Sequence, residues 1–187
     1  MIGFNVAQLL KSSVGTVRRV EVDDSDPELS AELHIVSPTK GELRLMRTNS
    51  GVLVTGKLTH LVEDSCSRCL EPFSNLETIE LNEEFLPVVD VNSGLPLSET
   101  RDPDAFTLNS NHELDLSEAI RQYTILERPL RPLCKPDCKG LCSECGANLN
   151  LGPCVHQSAT GEPAQGAFGK LLAERLRQAG FKPEEEK

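Results

Sequence analysis

The sequence predicts an α+β fold: a mainly antiparallel sheet packed by one helix, then a cysteine-rich segment and a terminal helix. Three observations predict it. Residues 14–62 are rich in β-branched side chains that alternate with polar ones. Residues 115–127 carry apolar side chains at helical spacing. Five cysteines and one histidine crowd into residues 134–156. The chain of 187 residues suits a domain with a small appendage. With no Trp, one Tyr and six Phe, its core must rest on Leu, Ile and Val.

The elements follow in order. Val14, Val17, Val20 and Val22 mark the first strand region. Glu32 to Val36 and Glu42 to Met46 alternate loosely, with turn residues from Pro38 to Gly41 between them. Gly51 to Val62 is a cleaner strand, with Val52, Val54 and Leu58 on one side and Thr55, Lys57 and Thr59 on the other. A tip follows, Cys66-Ser-Arg-Cys69-Leu-Glu-Pro-Phe73, and the chain resumes as a strand with Ile79, Leu81 and Phe85 facing one way. Residues 87–112 hold Pro87, Pro96 and Pro103 among polar residues and read as a long loop. Asp115 and Glu118 have capping-box spacing before the stripe Leu116, Ala119, Ile120, Tyr123 and Leu126, and Pro129 stops the helix. Residues 157–166 read as a linker. A last helix is expected from about Ala167 to Ala179, with Phe168, Leu171, Leu172 and Leu176 on one face. The expected organisation is a β-rich core with its helix at 1–130, a cysteine-rich segment at 131–157, and a linker with the terminal helix at 158–187.

Charge narrows the function classes. The formal net charge is −10, which repels nucleic acid and anionic membranes on average. No stretch approaches the ~18 apolar residues of a membrane span, and the N-terminus lacks a signal-peptide pattern. A cytoplasmic protein is expected, and there cysteines serve metals more often than disulfides. From Glu77 to Glu118 there are eleven acidic residues and one basic residue, Arg101. This run reads as a solvated face or a docking face for a basic partner. Arg121, Arg128, Arg131, Lys135 and Lys139 form the basic counterpart, offset only by Glu127 and Asp137, and are candidate contacts for RNA phosphate or a partner.

The cysteines carry the strongest signal. Cys134, Cys138, Cys142, Cys145, Cys154 and His156 are candidate ligands for a structural zinc ion. Cys142-x2-Cys145-Gly146 has the form of a zinc knuckle, in which the glycine lets backbone N–H groups approach sulfur. Two ligand sets remain open: Cys134, Cys138, Cys142 and Cys145, or Cys142, Cys145, Cys154 and His156. Either would be a closed structural site with no position left for catalytic water. Cys66 and Cys69 form a separate thiol pair that could serve a second metal, complete the first site, or cycle as a redox dithiol. No zinc-protease, phosphate-loop or nucleophile-elbow motif is present. His34, His60 and His112 read as ordinary surface or sheet histidines. The expectation is a protein without catalytic apparatus or small-molecule substrate.

Two blocks resemble the YceD family of large ribosomal RNA subunit accumulation proteins. One is Cys66-Ser-Arg-Cys69-Leu-Glu-Pro-Phe73. The other runs from Leu114 through Leu-Glu-Arg-Pro-Leu-Arg-Pro-Leu-Cys134 and Cys138-Lys-Gly-Leu-Cys-Ser-Glu-Cys-Gly146 to Asn148-Leu-Asn150. Cys154-Val-His156 stands where the family ends in Cys-x-Cys. The resemblance implies a non-enzymatic ribosome-assembly factor that supports accumulation or processing of large-subunit (23S) ribosomal RNA. It also implies a link to a basic, zinc-ribbon ribosomal protein of the large subunit, to precursor rRNA, or to both. The rival readings are a thiol oxidoreductase using Cys66 and Cys69, and a zinc-dependent adaptor unrelated to ribosomes.

Overall fold

The computed structural model describes residues 2–97 and 104–156. The chain divides into two compact units, residues 1–136 and 137–187. The expected linker and helix at 157–187 lie outside the described residues.

The first unit is built on one long hairpin. Strands β2 (Val17–Asp24), β3 (Thr39–Arg47), β4 (Val52–Ser65) and β5 (Pro72–Pro87) form an antiparallel meander, and the short β6 (Thr107–Leu108) adds to β5 in parallel. A second, two-stranded sheet pairs β1 (Gly3–Asn5) with β7 (Glu113–Asp115). Three helices accompany them: α1 (Ala7–Leu10), α2 (Pro27–Leu33) and α3 (Ser117–Glu127). The described residues thus form mostly antiparallel sheet with few helices.

Period-two alternation decides the faces. Val20, Val22, Leu43, Leu45, Val52, Val54, Leu58, Ile79, Leu81 and Phe85 point inward and are buried. They pack with Leu9 and Leu10 of α1, Leu29 and Leu33 of α2, and Leu116, Ala119 and Ile120 at α3. Each fully buried Leu or Ile contributes about 1.5–3 kcal/mol. Phe85 stacks on Phe106 with ring centroids 5.2 Å apart. Gly41 and Gly56 lie within the sheet, where a Cβ would strike a backbone carbonyl of the neighbouring strand.

Several sequence expectations need correction. The Asp115–Glu118 capping box does not form. Asp115 is the last residue of β7, and its Oδ1 accepts from Ser117 N–H at 2.9 Å. The Glu118 carboxylate is already occupied by Arg121 and Gln122. Leu126 is 78% exposed, because the buried stripe of α3 drifts from Ile120 to Thr124. Helix α2 lies in a region read as strands. Asp26 caps it through Glu28 N–H, and Pro27 takes the first turn. His34, read as a strand residue, is its left-handed C-cap at φ 56°.

Candidate metal centre

Beyond the core the β4–β5 hairpin keeps going. Its last rungs pair Glu63 with Ser74, Asp64 with Phe73 and Ser65 with Pro72. None of these six belongs to the hydrophobic core. Yet Cys66 and Cys69, at the tip, are buried. The segment after α3 covers them: Ser67 N–H donates to Pro132 O at 2.8 Å, and Cys69 Sγ lies 3.7 Å from Cys134 Sγ. Two thiolates on a tetrahedral zinc with Zn–S of about 2.3 Å stand about 3.8 Å apart. The donor atoms of Cys66, Cys69 and Cys134 all lie within 4.8 Å of one another.

The tip is a knuckle by its hydrogen bonds. Leu70 N–H returns to Cys66 O at 2.9 Å, and Cys66 N–H donates to Glu71 O at 2.9 Å. Leu70 holds φ 60°, a left-handed conformation uncommon for leucine. Burial opposes ionisation of the Cys66 thiol, but N–H groups of Cys134, Cys69 and Arg68 aimed at the sulfur bring it down to about 6.

The second unit repeats this local geometry. Gly146 N–H returns to Cys142 O at 2.9 Å, and Cys142 N–H donates to Ala147 O at 2.8 Å. Gly146 holds φ 70°. N–H groups of Cys145 and Glu144, with the Cys154 thiol, lower the Cys142 thiol to about 7. The Cys145 thiol moves the other way: donation from Ala147 N–H lowers it, but the neighbouring Cys142 thiol and burial together raise it. The donor atoms of Cys142, Cys145, Cys154 and His156 lie within 4.8 Å of one another. This is the second of the two ligand sets open from sequence. Cys138 is buried, and its sulfur accepts from Asn150 Nδ2 at 3.3 Å. Asn150 is held by Asn148 Oδ1, and Leu149 N–H donates to Gly140 O. The chemistry of both knuckles, soft donors with backbone N–H groups directed at sulfur, fits a zinc ion.

The basic candidates part company. Arg121 is paired with Glu118 through two bonds of 2.8 and 2.7 Å, with Glu32 at 3.7 Å. Arg128 turns inward, giving Nη2–H to Leu33 O at 2.9 Å and standing 3.6 Å from Asp64 Oδ2. Arg131, Lys135 and Lys139 are exposed. The acidic run is also less of a free surface than its composition implies. Glu83 accepts from Tyr123 Oη, Glu113 from Asn109, and Asp90 from Asn92 and Ser93. On the outer face Glu80 pairs with Lys57, and Glu84 accepts from Thr48 and Ser50.

Sequence reasoning missed the charged cluster beneath the hairpin tip. His60 and Glu77 face each other across β4 and β5. Glu77 is 5% exposed, and neither carboxylate oxygen has a hydrogen-bond partner among the described residues. Burial raises its carboxyl above the usual range; Arg128 opposes the shift, and Asp64 and Glu127 add to it. Burial, then the Arg128 charge, lowers His60, whose Nε2 stands 3.3 Å from Thr124 Oγ1. Single polar residues on otherwise apolar strand faces were the only available signal.

Comparison with known proteins places these residues. A family described as large ribosomal RNA subunit accumulation protein YceD matches residues 54–172, which include all seven cysteines. An uncharacterised protein of Mycobacterium tuberculosis is 33% identical over 112 residues, 60% of this chain and 52% of that one. A chloroplastic protein of Zea mays named large ribosomal RNA subunit accumulation protein YCED homolog 1 is 41% identical over 63 residues, 32% of this chain and 22% of that one. Its Arabidopsis thaliana namesake is 33% identical over 70 residues, 37% and 22% of the two chains. The chain spans about half the length of the mycobacterial relatives it matches. No solved structure matches. No helix among the described residues is long and apolar enough to cross a membrane.

Proposed function

The chain belongs to the YceD family, and from that premise we propose that it is a non-enzymatic, cytoplasmic factor supporting accumulation or processing of large-subunit ribosomal RNA. The observation that carries the reading is the extent of the family match, residues 54–172, together with the names of the plant relatives. In this reading the protein works by binding. Its partner is a basic large-subunit ribosomal protein of the zinc-ribbon type, precursor rRNA, or both. The net charge of −10 favours the basic protein as the direct contact. Arg131, Lys135 and Lys139 are exposed cations that can meet phosphate. Zinc on Cys142, Cys145, Cys154 and His156 orders the second unit and performs no chemistry, since four protein donors leave no open position.

The test is affinity capture of the protein from its own cells at low and then high salt, with mass spectrometry and RNA sequencing of what elutes. Large-subunit proteins or precursor rRNA that leave at high salt are the expected result. Absence of ribosomal material at low salt overturns the reading. The depressed Cys66 thiol favours one rival, a dithiol oxidoreductase. A Cys66–Cys69 disulfide that forms reversibly in the zinc-loaded protein would decide for it.

A further inference from the structure

We propose that Cys66, Cys69 and Cys134 supply three thiolates to a second zinc site, which staples the end of the β4–β5 hairpin to the segment after α3. The proposal stands independently of the ribosomal reading.

Four observations carry it. First, the Cys66–Cys69 turn repeats the Cys142–Cys145 turn bond for bond. In each, the N–H of the residue after the second cysteine returns to the first cysteine's carbonyl. In each, the first cysteine's N–H donates to the residue two beyond the second. Second, the residue after the second cysteine is left-handed in both, at φ 60° in Leu70 and 70° in Gly146. That conformation is strained for a leucine, whose Cβ crowds the following carbonyl, so something must hold the turn in shape. Third, Cys69 and Cys134 sulfurs stand 3.7 Å apart, far beyond a disulfide bond of about 2.05 Å and close to a tetrahedral edge of about 3.8 Å. Fourth, these thiols are buried where the hydrophobic core has ended. Neither Cys66 nor Cys69 belongs to the core cluster, and nor does any of the six residues in the three adjoining rungs.

Hydrophobic burial therefore does not explain why the 131–134 segment closes over the tip. A metal does. Three thiolates converge within 4.8 Å, and a structural zinc needs a fourth donor. Loading releases the thiol protons as each sulfur binds. The site differs in kind from the second group, whose Cys145 and His156 are exposed and one of whose donors is nitrogen.

The experiment counts metal in the purified full-length chain by native mass spectrometry and elemental analysis. Two zinc ions per wild-type chain are expected. Cys66→Ser/Cys69→Ser should hold one, and Cys142→Ser/Cys145→Ser should also hold one. A wild-type chain with a single zinc that vanishes in Cys142→Ser/Cys145→Ser overturns the proposal and leaves the second group intact. A single zinc that vanishes only in Cys66→Ser/Cys69→Ser sustains it and removes zinc from the second group instead. Iron with inorganic sulfide overturns the zinc assignment. Should the serine variants not fold, alkylation of the wild-type chain decides. Cys66, Cys69 and Cys134 should react with iodoacetamide only after a chelator has stripped the metal. Equal rates with zinc loaded and removed would sink the proposal.

Discussion

Replacing Arg128 with Ala should cost about 3 kcal/mol at pH 8 and distinctly less at pH 6. Arg128 is the permanent cation beside His60, Asp64 and Glu77. At 3.6 Å from Asp64, an effective dielectric of about 20 gives an attraction of ~4–5 kcal/mol. Desolvation of the pair offsets part of that. Breaking one partner out of a buried pair typically costs about 3–5 kcal/mol, because the other is left uncompensated. The side chains are 27% and 14% exposed, which places the expectation at the lower end. The bond to Leu33 O is lost as well. The pH dependence follows from the two buried titrating groups. Burial raises Glu77, and loss of the opposing Arg128 charge raises it further. A raised carboxyl keeps its proton in the folded state, so its contribution is present at low pH and lost as pH rises through the folded value. His60 is lowered by burial and then by Arg128. Without Arg128 it gains a proton more readily and replaces part of the missing charge. Both groups relieve the variant at pH 6, and neither does at pH 8. The assay is urea unfolding followed by circular dichroism at fixed zinc, for wild type, Arg128→Ala and Arg128→Ala/Glu77→Gln. The double variant should recover about 1–2 kcal/mol at pH 8. A loss under about 1 kcal/mol, or the same loss at both pH values, would refute the reasoning.

Three more outcomes are expected. Gly56→Ala should cost several kcal/mol or prevent folding, because its Cβ would strike Glu42 O and Leu43, and φ 155° disfavours a side chain; the yield of folded protein and its Tm report this. Leu70→Gly should be neutral or stabilise by up to about 1 kcal/mol, since strain at φ 60° is relieved against the greater freedom of an unfolded glycine; a loss above about 1 kcal/mol in chemical unfolding would show that the 65% exposed side chain has an unseen role. Arg121→Ala should cost little in chemical unfolding at pH 7, because Glu118 and Arg121 are 52% and 33% exposed and solvent screens the pair. Hydrogen bonds from Arg121 and then Gln122 hold Glu118 down to about 2. A depressed carboxyl stabilises above the ordinary range, so the difference between wild type and variant should fade as pH drops from about 4.5 towards 2.

Legibility tracked how local each determinant is. The faces of β4 and β5 were readable because period two is written in consecutive residues such as Val52, Val54 and Leu58. The end of α3 was readable at Pro129, which cannot extend a helix. Its start was not, because whether Glu118 caps depends on Arg121 and Gln122, which compete for the same carboxylate. Helix α2 was hidden among strand-like residues, although Asp26-Pro27-Glu28 is a helix start by its own chemistry. The Cys142 knuckle was legible from its glycine. The Cys66 turn was not, because Leu70 fills a position that glycine usually marks. No spacing rule could show that Cys134 would meet Cys69, since 65 residues separate them. That meeting is made by the length of the hairpin and the direction in which the chain leaves α3.

That hairpin end is the part of the first unit least determined by hydrophobic burial. Val62 is the last core residue of β4, and from there outward the interior contacts are Asp64 and Arg128, then the thiols. Apolar packing is tolerant of small shifts, whereas an ion pair at 3.6 Å and sulfurs at 3.7 Å are not. A region built this way gains little net stability from its charges, because desolvation offsets attraction. It gains geometry instead: the 128–134 segment can close only where Arg128 meets Asp64 and Cys134 meets Cys69. The exposed Leu130 and Arg131 between those two anchors are thereby held at a fixed place on the surface. Their position should depend on metal and on pH, while the sheet beneath, closed by Leu43, Leu58 and Ile79, should respond to neither. Hydrogen exchange with zinc loaded and removed separates the two: faster exchange confined to residues 63–75 and 128–134 is the expected pattern, and equal loosening of β3 and the core half of β4 would contradict it.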